Sequence, residues 1–160
     1  LILFLDVVII KGYNKNMKKL DFCKPTKSVT GSWITFGLTQ DQEDQKKNGF
    51  YVNVIRQAGW NDETKNGTFK ENVNNPEKHK RIKLSENDIA ETLLVLKSNG
   101  TKKWSTVHAG KTPIFIEPFI KEEKHVGYLI KLGGIGIALN FAETLRLQEY
   151  LKLTLQQMYL

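Results

Sequence analysis

Flat rings and cations share several short stretches of this chain. Trp33 comes first, then Tyr51, Arg56 and Trp60, then the basic run Lys80, Arg81 and Lys83. Lys102 and Lys103 precede Trp104, Phe115 and Phe119 follow, and Tyr128 with Lys131 closes the series. These residue types suit an unpaired polyanion. Cations neutralise phosphates, and an aromatic face stacks on an unpaired base at about 1–3 kcal/mol per base. The competing reading is that aromatics on strands fill a core. It holds for Phe36, which alternates with Ile34 and Leu38. Phe115 is open to either reading. Trp33 falls on the face opposite Ile34 and Phe36, and Trp60 stands beside a polar loop. Both are candidates for exposure, and position alone does not decide them.

Other chemistries are poorly represented. There is no Gly-rich phosphate loop, no Gly-x-Ser-x-Gly elbow and no His-Glu-x-x-His helix. His79, His108 and His125 lack the spacing of metal ligands. Cys23 is the only cysteine, which excludes an internal disulfide and a multi-cysteine zinc site. Glu117, Glu122, Glu123 and Lys124 could form a nuclease-like carboxylate–lysine cluster, or simply a charged turn between two strands. The expectation is a binding protein rather than an enzyme, with no cofactor and no metal.

The composition fits that expectation. A chain of 160 residues is long enough for one domain with a real core. Its 24 Lys and Arg against 17 Asp and Glu leave a formal charge of +7. That favours a polyanionic partner without choosing between nucleic acid and a membrane surface. Nothing points to secretion, so the sequons Asn66-Gly67-Thr68 and Asn99-Gly100-Thr101 read as chance. The apolar opening LILFLDVVII is interrupted by Asp6 and is shorter than the roughly 20 residues of a bilayer span. It also lacks the basic start and small-residue cleavage site of a secretory signal. Residues 1–16 read as upstream translated sequence or an artefact, with Met17 a candidate start. A short extra strand or a loose arm is the alternative.

Elements must hold these residues in place. Ile34, Phe36 and Leu38 alternate through Gly31–Thr39, the pattern of a half-buried strand. A charged loop over 41–49 leads to a second strand, Phe50–Gln57. Asn61–Glu77 reads as a long polar loop with Thr68-Phe69-Lys70 as a candidate short strand. The basic run Lys78–Lys83 then stops at Ser85, which with Asp88 makes a capping box for a helix carrying Ile89, Leu93 and Leu96. The same sentence is written again. Thr101–Ala109, Thr112–Ile120 and His125–Leu132 read as strands, the prolines of the second suggesting an edge or a bulge. Gly133-Gly134 turns into Ile135–Leu139, and Asn140 with Glu143 caps a last helix from Phe141. Its Leu145, Leu147, Leu151, Leu155 and Met158 exceed one narrow stripe. They fill the domain's own core or meet a partner subunit. The polar stretch Lys18–Ser28 reads as part of an N-terminal arm, 1–28. The rest, 29–160, reads as one α+β domain of two ββββα-like repeats, about 29–99 and 100–160, each a curved antiparallel sheet followed by a helix.

This pattern resembles the Whirly-like single-stranded DNA-binding proteins, and half of it resembles the related coactivator positive cofactor four. GFYVNVIRQAGW (49–60) is similar to that coactivator's strand ending Ile-Arg-Glu-Tyr-Trp. KHKRIKLSENDIAETLLVL (78–96) is similar to its basic strand, cap and helix, and GYLIKLGGIGIALNFAETLRLQEYLKL (127–153) looks like a second Whirly repeat. The family's Lys-Gly-Lys-Ala-Ala-Leu strand motif is absent. The resemblance implies phosphate contact by Arg56, Lys80, Arg81 and Lys83 and base stacking by Trp60. Trp33, Tyr51, Lys102, Lys103, Trp104 and Lys131 join them from the residue pattern. The implied protein binds single-stranded DNA with little sequence preference, in replication, recombination or transcription, as a dimer or tetramer, in the cytoplasm of a bacterial or phage-infected cell, with no membrane. Single-stranded RNA as the ligand, or a structural assembly subunit that binds no nucleic acid, are the alternatives.

Overall fold

The computed structural model describes residues 17–39, 43–108 and 112–159, so the reading of residues 1–16 lies outside the described residues. In chain order the first half gives β1 (Leu20–Lys24), β2 (Ser32–Thr39), β3 (Gly49–Arg56), β4 (Gly59–Asn61), β5 (Asn66–Thr68), β6 (His79–Leu84) and helix α1 (Glu86–Leu96). The second half gives β7 (Trp104–His108), β8 (Thr112–Lys121), β9 (Lys124–Leu132), β10 (Ile135–Asn140) and helix α2 (Phe141–Met158). Two four-stranded antiparallel sheets result, ordered β1-β2-β3-β6 and β10-β9-β8-β7, each followed by its helix. The small β4–β5 hairpin stands between β3 and β6 in the chain.

Both helices start where the caps predict. Ser85 accepts from the Asp88 amide while the Asp88 carboxylate accepts from the Ser85 amide. Asn140 and Glu143 repeat the arrangement at α2. Each box satisfies two amides that the first helical turn leaves without partners.

One core joins the sheets and helices. Phe22, Ile34, Phe36, Phe50, Val52 and Val54 from the first sheet meet Ile114, Ile116, Tyr128, Ile130 and Leu132 from the second, with Ile89, Leu93, Leu147 and Leu151 from the helices. Polar ties cross the same boundaries. The Lys24 ammonium donates to the Ala138 carbonyl and the Glu143 carboxylate, both at 2.6 Å. Gln148 donates to the Leu96 carbonyl at 2.7 Å, and Tyr150 to the Phe36 carbonyl at 3.2 Å. Gly127 needs its missing side chain: at φ +155° a Cβ would sit 1.9 Å from the Leu139 carbonyl oxygen across the β9–β10 ladder.

Two expectations are corrected, and one of two alternatives is decided. The stretch read as an arm supplies β1, with Phe22 buried on Phe36. Two apolar residues, Leu20 and Phe22, are too few for their alternation to stand out beside Lys18, Lys19 and Pro25. For strand β8 the edge alternative fails, since it is interior, while the bulge alternative matches a register irregularity at Phe119/Ile120. Its prolines are tolerated because Pro113 is the second residue of the strand and Pro118 lies beyond Ile116, where pairing with β7 ends. The candidate strand Thr68-Phe69-Lys70 is shifted: β5 ends at Thr68, and Lys70–Asn72 form a single 3-10 turn.

Burial raises the Tyr150 phenol to about 12, opposed only weakly by a hydrogen bond to the Leu20 backbone. The unfolded chain releases that proton from about pH 10, the folded one only near 12. A raised folded value stabilises at lower pH, and the contribution is lost as pH climbs through this window. Tyr150→Phe should cost about 1 kcal/mol at pH 8, from the lost hydrogen bond. In urea denaturation it should then fall less than wild type between pH 8 and pH 11.

Candidate nucleic-acid interface

Strand alternation sorts the first sheet onto two faces. Ile34, Phe36, Val52, Val54, Ile82 and Leu84 turn to the core. The other face carries Cys23, Trp33, Ile55 and His79 in one cross-strand row, Asp21, Thr35, Asn53 and Arg81 in the next, and Gly37, Tyr51 and Lys83 in the third. Four residues singled out from the sequence, Trp33, Tyr51, Arg81 and Lys83, therefore share one face. Trp33 and Arg81 lie two strand spacings apart and two rungs along, about 12 Å.

Arg81 places its guanidinium 4.1 Å over the Tyr51 ring. At an exposed site this contact contributes about 0.5–1 kcal/mol. It also makes the flat guanidinium, rather than the ring, the outer surface at that rung. The Tyr51 hydroxyl donates to the Lys47 carbonyl at 3.0 Å. Lys83 is exposed, its stem against Gly49, and the Lys19 stem crosses Gly37 on the same face.

At the Trp33 end the face is walled by residues 66–73. Trp33 is 37% exposed and meets the buried Phe69 edge-on, ring centroids 5.7 Å apart. The wall is pinned by Gln57, itself 3% exposed. Its Oε1 accepts from the Thr26 and Gly31 amides at 2.8 and 3.1 Å. Its Nε2 donates to the Thr26 and Gly59 carbonyls at 2.9 and 2.7 Å. Asn72 adds a donor to the Arg56 carbonyl at 2.8 Å, and His79 Nδ1 lies 2.8 Å from the Val73 carbonyl. Between wall and sheet lies a cleft of about 610 Å³. Trp33, Ile55, Phe69 and Val73 supply its apolar surface, and Thr35, Asn53, Lys70, Glu71 and His79 its polar groups. Cys23, exposed at the end of the Trp33 row, has its thiol raised by burial and then by Asp21. It is a weak nucleophile near neutral pH.

The remaining candidates are not gathered on this face. Arg56 and Lys80 have the opposite strand parity, at the sheet's end. The Lys80 ammonium donates to the Pro76 carbonyl, and its stem lies against Gly133. Trp60 is half-buried in the β4–β5 hairpin and does not line the cleft; its indole N–H is buried without a partner among the described residues. Lys102 and Lys103 are exposed ahead of β7. Trp104 is half-buried: it registers with Ile116, whose other neighbour is Ile130, and packs against the core. Lys131 sits on the outer face of the second sheet, 3.5 Å from Glu117. Glu117 is about 16 Å along the strand from Glu122 at the hairpin tip, too far for one carboxylate cluster.

Phe69, Asn53, His79 and Lys19 belong to the site without having been singled out for it. Phe69 had a signal, as a lone aromatic in a long polar loop. Asn53 is polar between Val52 and Val54 and so had to face outward; Lys19 had none. No family model matches the chain, and no curated protein and no solved structure is detectably similar to it.

Gln57→Ala removes the partner of two amides and two carbonyls, the Gly31 amide among them buried. It should cost about 2–4 kcal/mol in chemical denaturation. Trp104→Ala should cost about 2 kcal/mol or more, because it opens a void against the core. Trp33→Ala should cost less than Trp104→Ala, because Trp33 lies on the sheet's outer face with more than a third of its surface in solvent. A larger loss at Trp33 than at Trp104 would reverse the assignment of the open ring.

Proposed function

We propose that this is a non-enzymatic single-stranded DNA-binding protein of the Whirly-like kind, with little overall sequence preference, serving replication, recombination or transcription. The observation that carries the reading is the common face holding Trp33, the Arg81–Tyr51 pair and Lys83. A single strand laid across it would stack a base on Trp33 and a second on the guanidinium plane of Arg81. Its phosphates would meet Lys83 and Lys19. Rings supply sequence-tolerant affinity and cations supply the salt-dependent part.

A second reading, an assembly subunit, is favoured by Phe141 and Leu145, one helical turn apart on α2 and both more than half exposed. The same surface also suits the proposed dimer or tetramer of a binding protein.

Fluorescence anisotropy with labelled oligo(dT) and oligo(U) tests both. Wild type should bind, quench its tryptophan emission, and weaken steeply with salt. Trp33→Ala should weaken binding about thirtyfold, the middle of the stacking range. Lys83→Ala should flatten the log affinity against log salt slope by about 0.7, one phosphate contact on a single strand. Binding by both variants indistinguishable from wild type would remove this face from the interaction. No quenching and no binding by wild type would leave the assembly reading.

A further inference from the structure

The cleft beside Trp33 has more chemistry than a stacking platform needs. A platform that accepts every base offers a flat ring and little else. Here Trp33, with Phe69 set edge-on to it, lies beside hydrogen-bonding groups that nothing in the fold uses. Asn53 lies on the open face beside Thr35, and neither side chain has a hydrogen-bond partner among the described residues. His79 is different, because one of its nitrogens is already committed. The Val73 carbonyl can only accept, so Nδ1 carries the proton toward it, and the neutral ring keeps Nε2 as an acceptor. The volume, about 610 Å³, falls within the range of sites that enclose a small molecule. The cleft's own charged side chains are Lys70 and Glu71, and Arg81 lies two residues beyond His79 on the same strand face, with Asp21 at the far end of its row.

We infer that this cleft is a single-base site that selects adenine from the bound strand. The inference rests on the strand-binding reading above. Asn53 can donate to an adenine ring nitrogen and accept from the 6-amino group, the pairing its amide geometry favours. The amino group has a second hydrogen, which His79 Nε2 or the Thr35 oxygen can accept. Thymine and uracil have a single ring N–H between two carbonyls, and guanine turns a carbonyl toward the same acceptors. Cytosine has the amino group but only one ring to lay against Trp33 and Phe69. The bound strand is thus read at one position and merely held at the others. Sequence-specific recognition of unpaired strands commonly combines an aromatic face with hydrogen bonds to the base edge in this way.

The test uses the full chain and four oligonucleotides of equal length: oligo(dT), and oligo(dT) with one central residue replaced by dA, dC or dG. Wild type should bind the dA form at least about fivefold tighter than oligo(dT), the low end for one bidentate contact. The dC and dG forms should stay near oligo(dT). Asn53→Ala, with folding checked by circular dichroism, should bring the dA to dT ratio to about one. Equal affinity of wild type for all four overturns the base site and leaves strand binding standing. No binding of any of the four overturns both. A preference for dC or dG, or a dA preference that survives in Asn53→Ala, overturns the adenine assignment. So does loss of all binding in folded Asn53→Ala, since Asn53 would then hold the strand rather than read it.

Discussion

Two helices cannot cover both faces of two four-stranded sheets. Each sheet buries one side against α1, α2 and the other sheet, and one side is left to solvent. The period of a strand is two, so every inward Ile or Val commits its neighbour to the outside. Burying Ile34, Val54 and Ile82 puts Trp33, Ile55, His79 and Arg81 on the open face, whatever their own preference. The candidate site is a by-product of core packing, which makes its geometry as rigid as the sheet beneath it.

The open face would be a flat, wet surface without the insertion between β3 and β6. That segment returns over one end and is held there by an amide with no spare capacity. Gln57 uses both its lone-pair positions and both its N–H groups, linking the β1–β2 connection to the β4–β5 hairpin. Leaving any of these partners unpaired in a buried setting costs more than a typical hydrogen bond gains. The wall of the cleft is therefore fixed, and Phe69 is held edge-on to Trp33. A preorganised wall spares a ligand the cost of ordering it.

The two halves repeat a topology without repeating a surface. Both have four antiparallel strands, a capping box and a helix. In the first, cations stand beside rings with few opposing charges. In the second, Lys131 is matched by Glu117 across the sheet, and the ring at the start of the edge strand, Trp104, turns inward. The asymmetry leaves the open face of rings and cations on one repeat, while the other matches its charge and turns its ring toward the core.

Much of the architecture was legible in the residues because its signals are local. A cap is a matter of three residues, so Ser85 with Asp88 and Asn140 with Glu143 announced both helices. Long alternating runs announced most strands and their α+β arrangement. Where the local signal was thin, as with Leu20 and Phe22, the strand was missed. Aromatic and basic residue types marked the candidate surface, but type does not carry direction. Trp33 and Trp104 look alike in sequence, each beside polar residues on a strand. Only pairing register separates them: Trp33 is opposite Ile55 on an open face, and Trp104 is opposite Ile116 in the core. The cleft was beyond the sequence for the same reason. Pairing of β3 with β6 brings Asn53 near His79, and Phe69 joins them because the buried Gln57 holds the loop back over the sheet; long-range contact of that kind is decided by packing, not by neighbours.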